Sequence, residues 1–392
     1  MRGMTRLVRG CALVAVAATV ATGCVSSGGG GPADTIGSQD AVFGGQDALA
    51  GDSDSPQDTL GPDDTLVPED TYVAPDTFDR PDTYQPQDTY QPQDTVVAQD
   101  TVQTGPPSIV DPQCLDGQYD EPLPPASTSI TQLTSGYSAA NYATFVDQVL
   151  GARYPTGQYL VAHGVSEDTQ QNCLQTYSQG YTGSTKSLIG ALSTIAHECG
   201  HALDGARGTF SGNTYVFRAD LQISCDGGDA RNRYGNTFAR SQITLDEYDA
   251  LLPDDFYKST YLVQAGSDQG FNMVAEEAVQ YINSLVTDWA FKDNIGNGYS
   301  ITARDGILTF LWYIERYLHY ARLHDTAAHQ FLLGTPCWRQ VILTIWGRAW
   351  QYLDLTEGIS SLGIDDVKIE DLVLDATLLG EIDRVRQAQG CP

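Results

Sequence analysis

His197-Glu198-Cys199-Gly200-His201 sets two imidazoles four residues apart, with a carboxylate directly after the first. At 3.6 residues per turn, positions i and i+4 share a helix face, so both rings can reach one metal ion while Glu198 flanks it. That reading requires a helix, and the surrounding sequence agrees. From Lys186 to Leu203, apolar residues recur three or four apart at Leu188, Leu192, Ile195, Cys199 and Leu203, and Ser184 or Thr185 suits an N-cap. Cys199 lies two positions from each histidine, roughly 200° around the helix. It therefore belongs to the core or to a disulfide, not to the metal.

A hydrolytic zinc site takes three protein ligands and keeps a fourth position for water. The run Phe271 to Leu285 can supply the missing acid, because Val274, Ala278, Tyr281, Ile282 and Leu285 form an apolar stripe with glutamates beside it. Glu277 falls at the stripe's edge and Glu276 nearly opposite. An acid at a buried edge needs a partner, so Glu277 is the expected third ligand and Glu276 the alternative. Asp204, one turn past His201, is expected to orient a histidine from outside the coordination sphere. The metzincin pattern needs glycine at 204 and histidine at 207, and Asp204 with Arg207 argue against it. Candidate donors to an oxyanion are Tyr257, Tyr261, His319, His324 and His329. The three histidines also read as ordinary polar positions on helices.

The pair His197-Glu-Cys-Gly-His-Ala-Leu-Asp204 and, about seventy residues on, Val274-Ala-Glu-Glu277-Ala278 resembles the gluzincin metallopeptidases. It is most similar to the protease domain of lethal-factor-like toxins, with its His-Glu-x-Gly-His-Ala-x-Asp and a glutamate helix ending in Ala-Glu-Ala. The likeness covers the two motif helices, a small part of the chain. It implies a zincin-like endopeptidase holding one zinc ion on His197, His201 and a helix glutamate, with Glu198 as general base. That family carries a ligand glutamate one turn before the acid matching Glu277, where this chain has Met273, and a tyrosine two turns further upstream, where this chain has none.

The chain opens with Arg2, Arg6 and Arg9 ahead of the apolar run CALVAVAATV and then Ala21-Thr22-Gly23-Cys24. Residues 1–23 read as an export leader, and the small residues before Cys24 resemble a bacterial lipobox. Lipidation of Cys24 would anchor the chain in the cell envelope through acyl chains. A plain secretory leader or an uncleaved span is the alternative. From 24 to 113, aspartates at 58, 64, 70, 76, 82, 88, 94 and 100 recur every six residues, each followed by threonine. With few large apolar residues this is a low-complexity tether, and seventeen acids against the single Arg80 extend it by self-repulsion. The whole chain carries a formal charge of −29, which argues against a nucleic-acid partner.

Beyond Cys24 six cysteines remain, Cys114, Cys173, Cys199, Cys225, Cys337 and Cys391, none of them in a C-x-x-C pair. In an exported chain they imply up to three disulfides. Residues 114–392 are expected to form an α+β, mostly helical, zincin-like domain with a small sheet. The periodicities predict a helix at 139–150, a short strand at 158–162, the motif helix, and a strand at 214–225. A capping box, Thr244-Leu-Asp-Glu247, should open a short helix, and long helices should run at 271–291, 306–324 and 336–355. The function expected is an exported, membrane-tethered zinc endopeptidase acting on proteins or peptides. The alternatives are a catalytically silent, zincin-like surface-binding lipoprotein and a zinc amidase acting on cell wall.

Overall fold

The computed structural model describes residues 119–209, 212–252, 256–264, 266–295 and 302–391. The leader, Cys24, the Asp-Thr repeats and Cys114 lie outside the described residues. Within them the fold is α+β and mostly helical. Helices α1 (Thr131–Ser135), α2 (Tyr142–Arg153), α3 (Pro155–Glu167), α4 (Cys173–Ser178), α5 (Thr185–Gly190) and α6 (Leu192–Arg207) precede a two-stranded antiparallel sheet, β1 (Gly212–Arg218) and β2 (Leu221–Asp226). Then follow α7 (Phe271–Ala290), α8 (Ala303–His324), α9 (Thr326–Gly334), α10 (Pro336–Thr356), α11 (Asp366–Val373) and α12 (Ala376–Gln389). No helix among the described residues is long and apolar enough to cross a membrane.

The three long helices stand where the 3.6-residue periodicity puts them, but four local expectations need correction. The strand expected at 158–162 is the middle of α3. Pro155 starts that helix at its first turn, and a short apolar run does not by itself distinguish a strand from a buried helix face. The motif helix breaks at Ala191, so Ser184 caps α5 by accepting from the Ser187 amide, and α6 begins afresh at Leu192. The alternation at 214–225 belongs to two strands, β1 and β2, whose pairing is irregular between Val216 and Arg218. Thr244 opens no α-helix: its hydroxyl donates back to the Ser241 carbonyl within a 3-10 segment, Arg240–Leu245.

Helix α7 is the centre of the domain. Eighteen of its twenty residues are buried, including Glu276, Glu277, Gln280, Asn283 and Ser284, because α6, α8 and α10 all pack on it. A helix buried all round has no solvated face on which to place a charge, so each of these polar groups needs an internal partner. Glu121, in the segment before α1, lies at one end of the resulting network. Its carboxylate accepts from Arg348 and Tyr352 on α10, from Arg218 on β1 and from Tyr119. Arg348 in turn donates to Asn283 Oδ1 at 2.8 Å, and the Tyr154 hydroxyl donates to the same oxygen at 3.0 Å. Disulfides join Cys173 to Cys199 and Cys225 to Cys337, the first tying α4 to α6 and the second tying β2 to α10.

Glu315 on α8 breaks the rule of internal satisfaction. It is 0% exposed and neither carboxylate oxygen has a hydrogen-bond partner. Burial first, and then the nearby Asp375 and Glu381, push its carboxyl well above the ordinary 4.5. The native state thus keeps a proton that the unfolded chain releases above pH 4.5, so this group costs stability increasingly as pH rises from there. Glu315→Met should therefore stabilise the domain by about 1–3 kcal/mol at pH 8, with a smaller gain near pH 4. Urea denaturation of the two proteins at both pH values measures this, and a gap that does not widen with pH contradicts it.

Candidate metal centre

The motif side chains converge where α6 crosses α7. Gly200 permits the approach: a Cβ there would lie 1.9 Å from Gln280 Oε1 on α7, an impossible contact. With the helices this close, His197 Nε2 and His201 Nε2 lie 3.6 and 3.5 Å from the same atom, Glu277 Oε2. One donor atom from each of the three residues fits within 4.8 Å of the others. Zinc bonds of about 2.0–2.1 Å in a tetrahedron put neighbouring ligand atoms about 3.3 Å apart, so the two imidazole–carboxylate sides need only a few tenths of an ångström of closure, and the imidazole–imidazole side, bounded by 4.8 Å, up to about 1.5 Å. Glu277 is 2% exposed and its Oε2 has no hydrogen-bond partner, a costly state for a carboxylate unless a cation meets it. Burial raises the Glu277 pKa, but the attraction of the facing His201 and His197 imidazoles overcomes that and holds the carboxyl below its usual range. Two imidazoles and one carboxylate are a donor set suited to zinc.

The far side of each ring is also committed. His197 Nδ1 is 3.1 Å from Ser284 Oγ, and His201 Nδ1 is hydrogen-bonded to Glu276 Oε1. With Nδ1–H donating in each case, Nε2 is left as the basic nitrogen facing Glu277. Glu276 therefore stands behind His201 and is not a solvated acid, as a wheel drawn with one wet face would place it. Asp204, expected behind a histidine, instead accepts from the Val216 amide and from Gln280 Nε2, both at 2.9 Å, and so ties α6 to β1 and α7. Burial and the Glu276 charge push the Asp204 pKa well up, against those two hydrogen bonds. Ser284 and Gln280 were missed as participants, although polar residues at 277, 280 and 284 inside an apolar stripe mark a face with something to hold. Glu198, the expected base, is buried on α6 between the two motif histidines in sequence.

Of the expected oxyanion donors, Tyr257 and Tyr261 approach the centre by way of Tyr281. The Tyr281 ring packs edge-on against His197 at 4.8 Å between centroids, and its hydroxyl is 2.9 Å from that of Tyr261. The Tyr257 ring lies 5.6 Å from that of Tyr281, and its hydroxyl donates to the Thr302 carbonyl. His319 belongs elsewhere: its Nδ1 is 3.1 Å from Glu381 Oε1, at the junction of α8 and α12. His324 packs on Tyr320, and His329 sits on α9; neither histidine belongs to the three-residue cluster. Met273, the position of the ligand glutamate in the lethal-factor-like family, is also outside that cluster.

Comparison of the chain with protein-family models, with curated proteins and with solved structures finds no match.

The partners behind the rings generate a metal-binding prediction. Glu276→Gln and Ser284→Ala should each weaken zinc affinity by about 10–100-fold, as outer-sphere substitutions typically do, while leaving all three ligand atoms in place. Competition with a chromophoric chelator measures the constants; affinities equal to wild type would show that these hydrogen bonds do not set the ring orientation. Gly200→Ala should be far more damaging, by about 3 kcal/mol or more, because the added carbon overlaps Gln280 in a fully packed crossing. Thermal unfolding with the zinc content of the purified variant tests that expectation.

Proposed function

We propose that this chain is an exported, membrane-tethered, zincin-like endopeptidase that hydrolyses peptide bonds with one catalytic zinc ion. The observation that carries the reading is the meeting of His197 Nε2, His201 Nε2 and Glu277 Oε2 around one buried point, next to the glutamate that follows His197 in sequence. Zinc held there would lower the pKa of a coordinated water and polarise the substrate carbonyl. Glu198 then takes the proton of the attacking water and passes it to the departing amine nitrogen, so that one carboxylate serves first as base and then as acid. Glu276 and Ser284 hold the imidazoles in the tautomer that directs Nε2 inward. The leader and the lipidated Cys24 rest on the sequence, as does the long acidic spacer that would let the domain reach substrates away from the membrane.

A binding role without turnover has no need of Glu198, which favours the enzyme. An amidase acting on cell-wall peptides would use the same groups, and the substrate decides between the two. The zinc-loaded protein should cleave members of a mixed peptide library, lose activity on chelation and regain it with zinc. Glu198→Gln should lower kcat by about 10²–10⁴-fold while zinc stoichiometry stays at that of wild type. Metal uptake without cleavage of any peptide, but with cleavage of purified peptidoglycan, would move the assignment to the amidase. Metal uptake with neither activity would leave the binding protein.

A further inference from the structure

Among the described residues six arginines are buried, and five of them meet a carboxylate: Arg153 with Asp293, Arg218 with Glu121, Arg304 with Asp366, Arg316 with Asp246 and Arg348 with Glu121. Arg240 is the exception. It is 4% exposed, and its Nε and one terminal nitrogen, Nη1, have no hydrogen-bond partner. In a chain with 50 acidic and 21 basic residues, an unpaired buried guanidinium is the reverse of what composition favours. Burying a charge without a counter-ion is expensive, so its retention is explained if an anion arrives from outside the chain.

The surroundings of Arg240 connect it to the metal centre. Its guanidinium lies over the Tyr261 ring, 5.4 Å from the centroid. The Tyr261 and Tyr281 rings are 6.3 Å apart with their hydroxyls in contact, and the Tyr281 ring packs on His197 at 4.8 Å. Arg240 is therefore no more than about 17 Å from a ligand histidine, within about five residues of an extended peptide. Gly266, at φ +86°, approaches the guanidinium closely: a Cβ there would stand 3.1 Å from Nη2 and 2.9 Å from Gln269 Oε1. A planar fork with free N–H groups, stacked on an aromatic ring, matches a carboxylate.

We infer that Arg240 is a specificity-determining residue that binds a substrate carboxylate, either an acidic side chain or a free C-terminus within a few residues of the scissile bond; this deepens the peptidase reading and rests on it. The test uses the zinc-loaded full chain and three matched peptide sets: acidic side chain with amidated C-terminus, neutral with free C-terminus, and neutral with amidated C-terminus. One of the first two sets should exceed the third in kcat/KM by about 10–100-fold, and which one wins identifies the source of the carboxylate. Arg240→Met should bring that ratio to within about twofold while the domain stays folded, since no carboxylate partner is lost and the apolar chain still packs on the Tyr261 ring. Arg240→Lys, which keeps the charge but not the fork, should give an intermediate ratio and serves should the methionine variant fail to fold. Equal turnover of all three sets by wild type, or a ratio that survives Arg240→Met, overturns the inference while the peptidase stands. Absence of turnover in every set defeats the peptidase reading instead, and fluorescence anisotropy of the same peptides with the Glu198→Gln protein then decides. Carboxylate-dependent binding that a further Arg240→Met removes upholds Arg240 as the recognition residue, and equal binding of all three sets overturns it.

Discussion

The close crossing of α6 and α7 is the constraint on which the rest of the structure depends. It exists because position 200 has no side chain and because Gln280 fills the space that one would take. Gln280 then donates to Asp204, which also accepts the Val216 amide, so the same contact seats β1 against the crossing. Three ligand atoms reach one point only because two helices carrying them are held at this separation. The burial that follows leaves Glu277 Oε2 with no hydrogen-bond partner, a cost that a cation at the same point would relieve.

Much of the site was legible because its residues obey helix periodicity. His197 and His201 share a face by spacing alone, and Glu277 stood out as an acid beside an apolar stripe. What periodicity does not reveal is how many sides of a helix are covered. The wheel places Glu276 opposite the stripe on the assumption that one face is wet, but α7 is packed by three helices and by β1, and that face is also interior. Asp204 was misread for a related reason. Its distance from His201 along the helix was known, whereas the backbone of β1 that claims it comes from a part of the chain whose approach no local pattern announces.

The fold followed the same division. Long periodic stretches became α7, α8 and α10, while short segments were decided by their surroundings. The apolar residues at 158–162 could be strand or helix until the packing of α3 on α6 settled it; a Cβ on Gly164 would lie 2.4 Å from the Cys199 carbonyl, so that contact is backbone-close. Thr244 had the sequence of a cap, but a hydroxyl also bonds backward to a preceding carbonyl, and here it does. Local chemistry offers options of nearly equal energy, and tertiary contacts select among them.

The Cys173–Cys199 disulfide has a temporal implication. Cys199 sits between the two motif histidines, on the opposite side of α6, and its bond closes a loop spanning 26 positions. Cross-links of that span restrict the unfolded ensemble by about 3 kcal/mol and form only where thiols are oxidised. The back of the histidine-bearing helix is thus held by a cross-link that forms only in oxidising surroundings. The brace behind the His197–His201 face and the redox state of the surroundings are consequently joined in one segment, and a chain kept among reducing thiols would lack it.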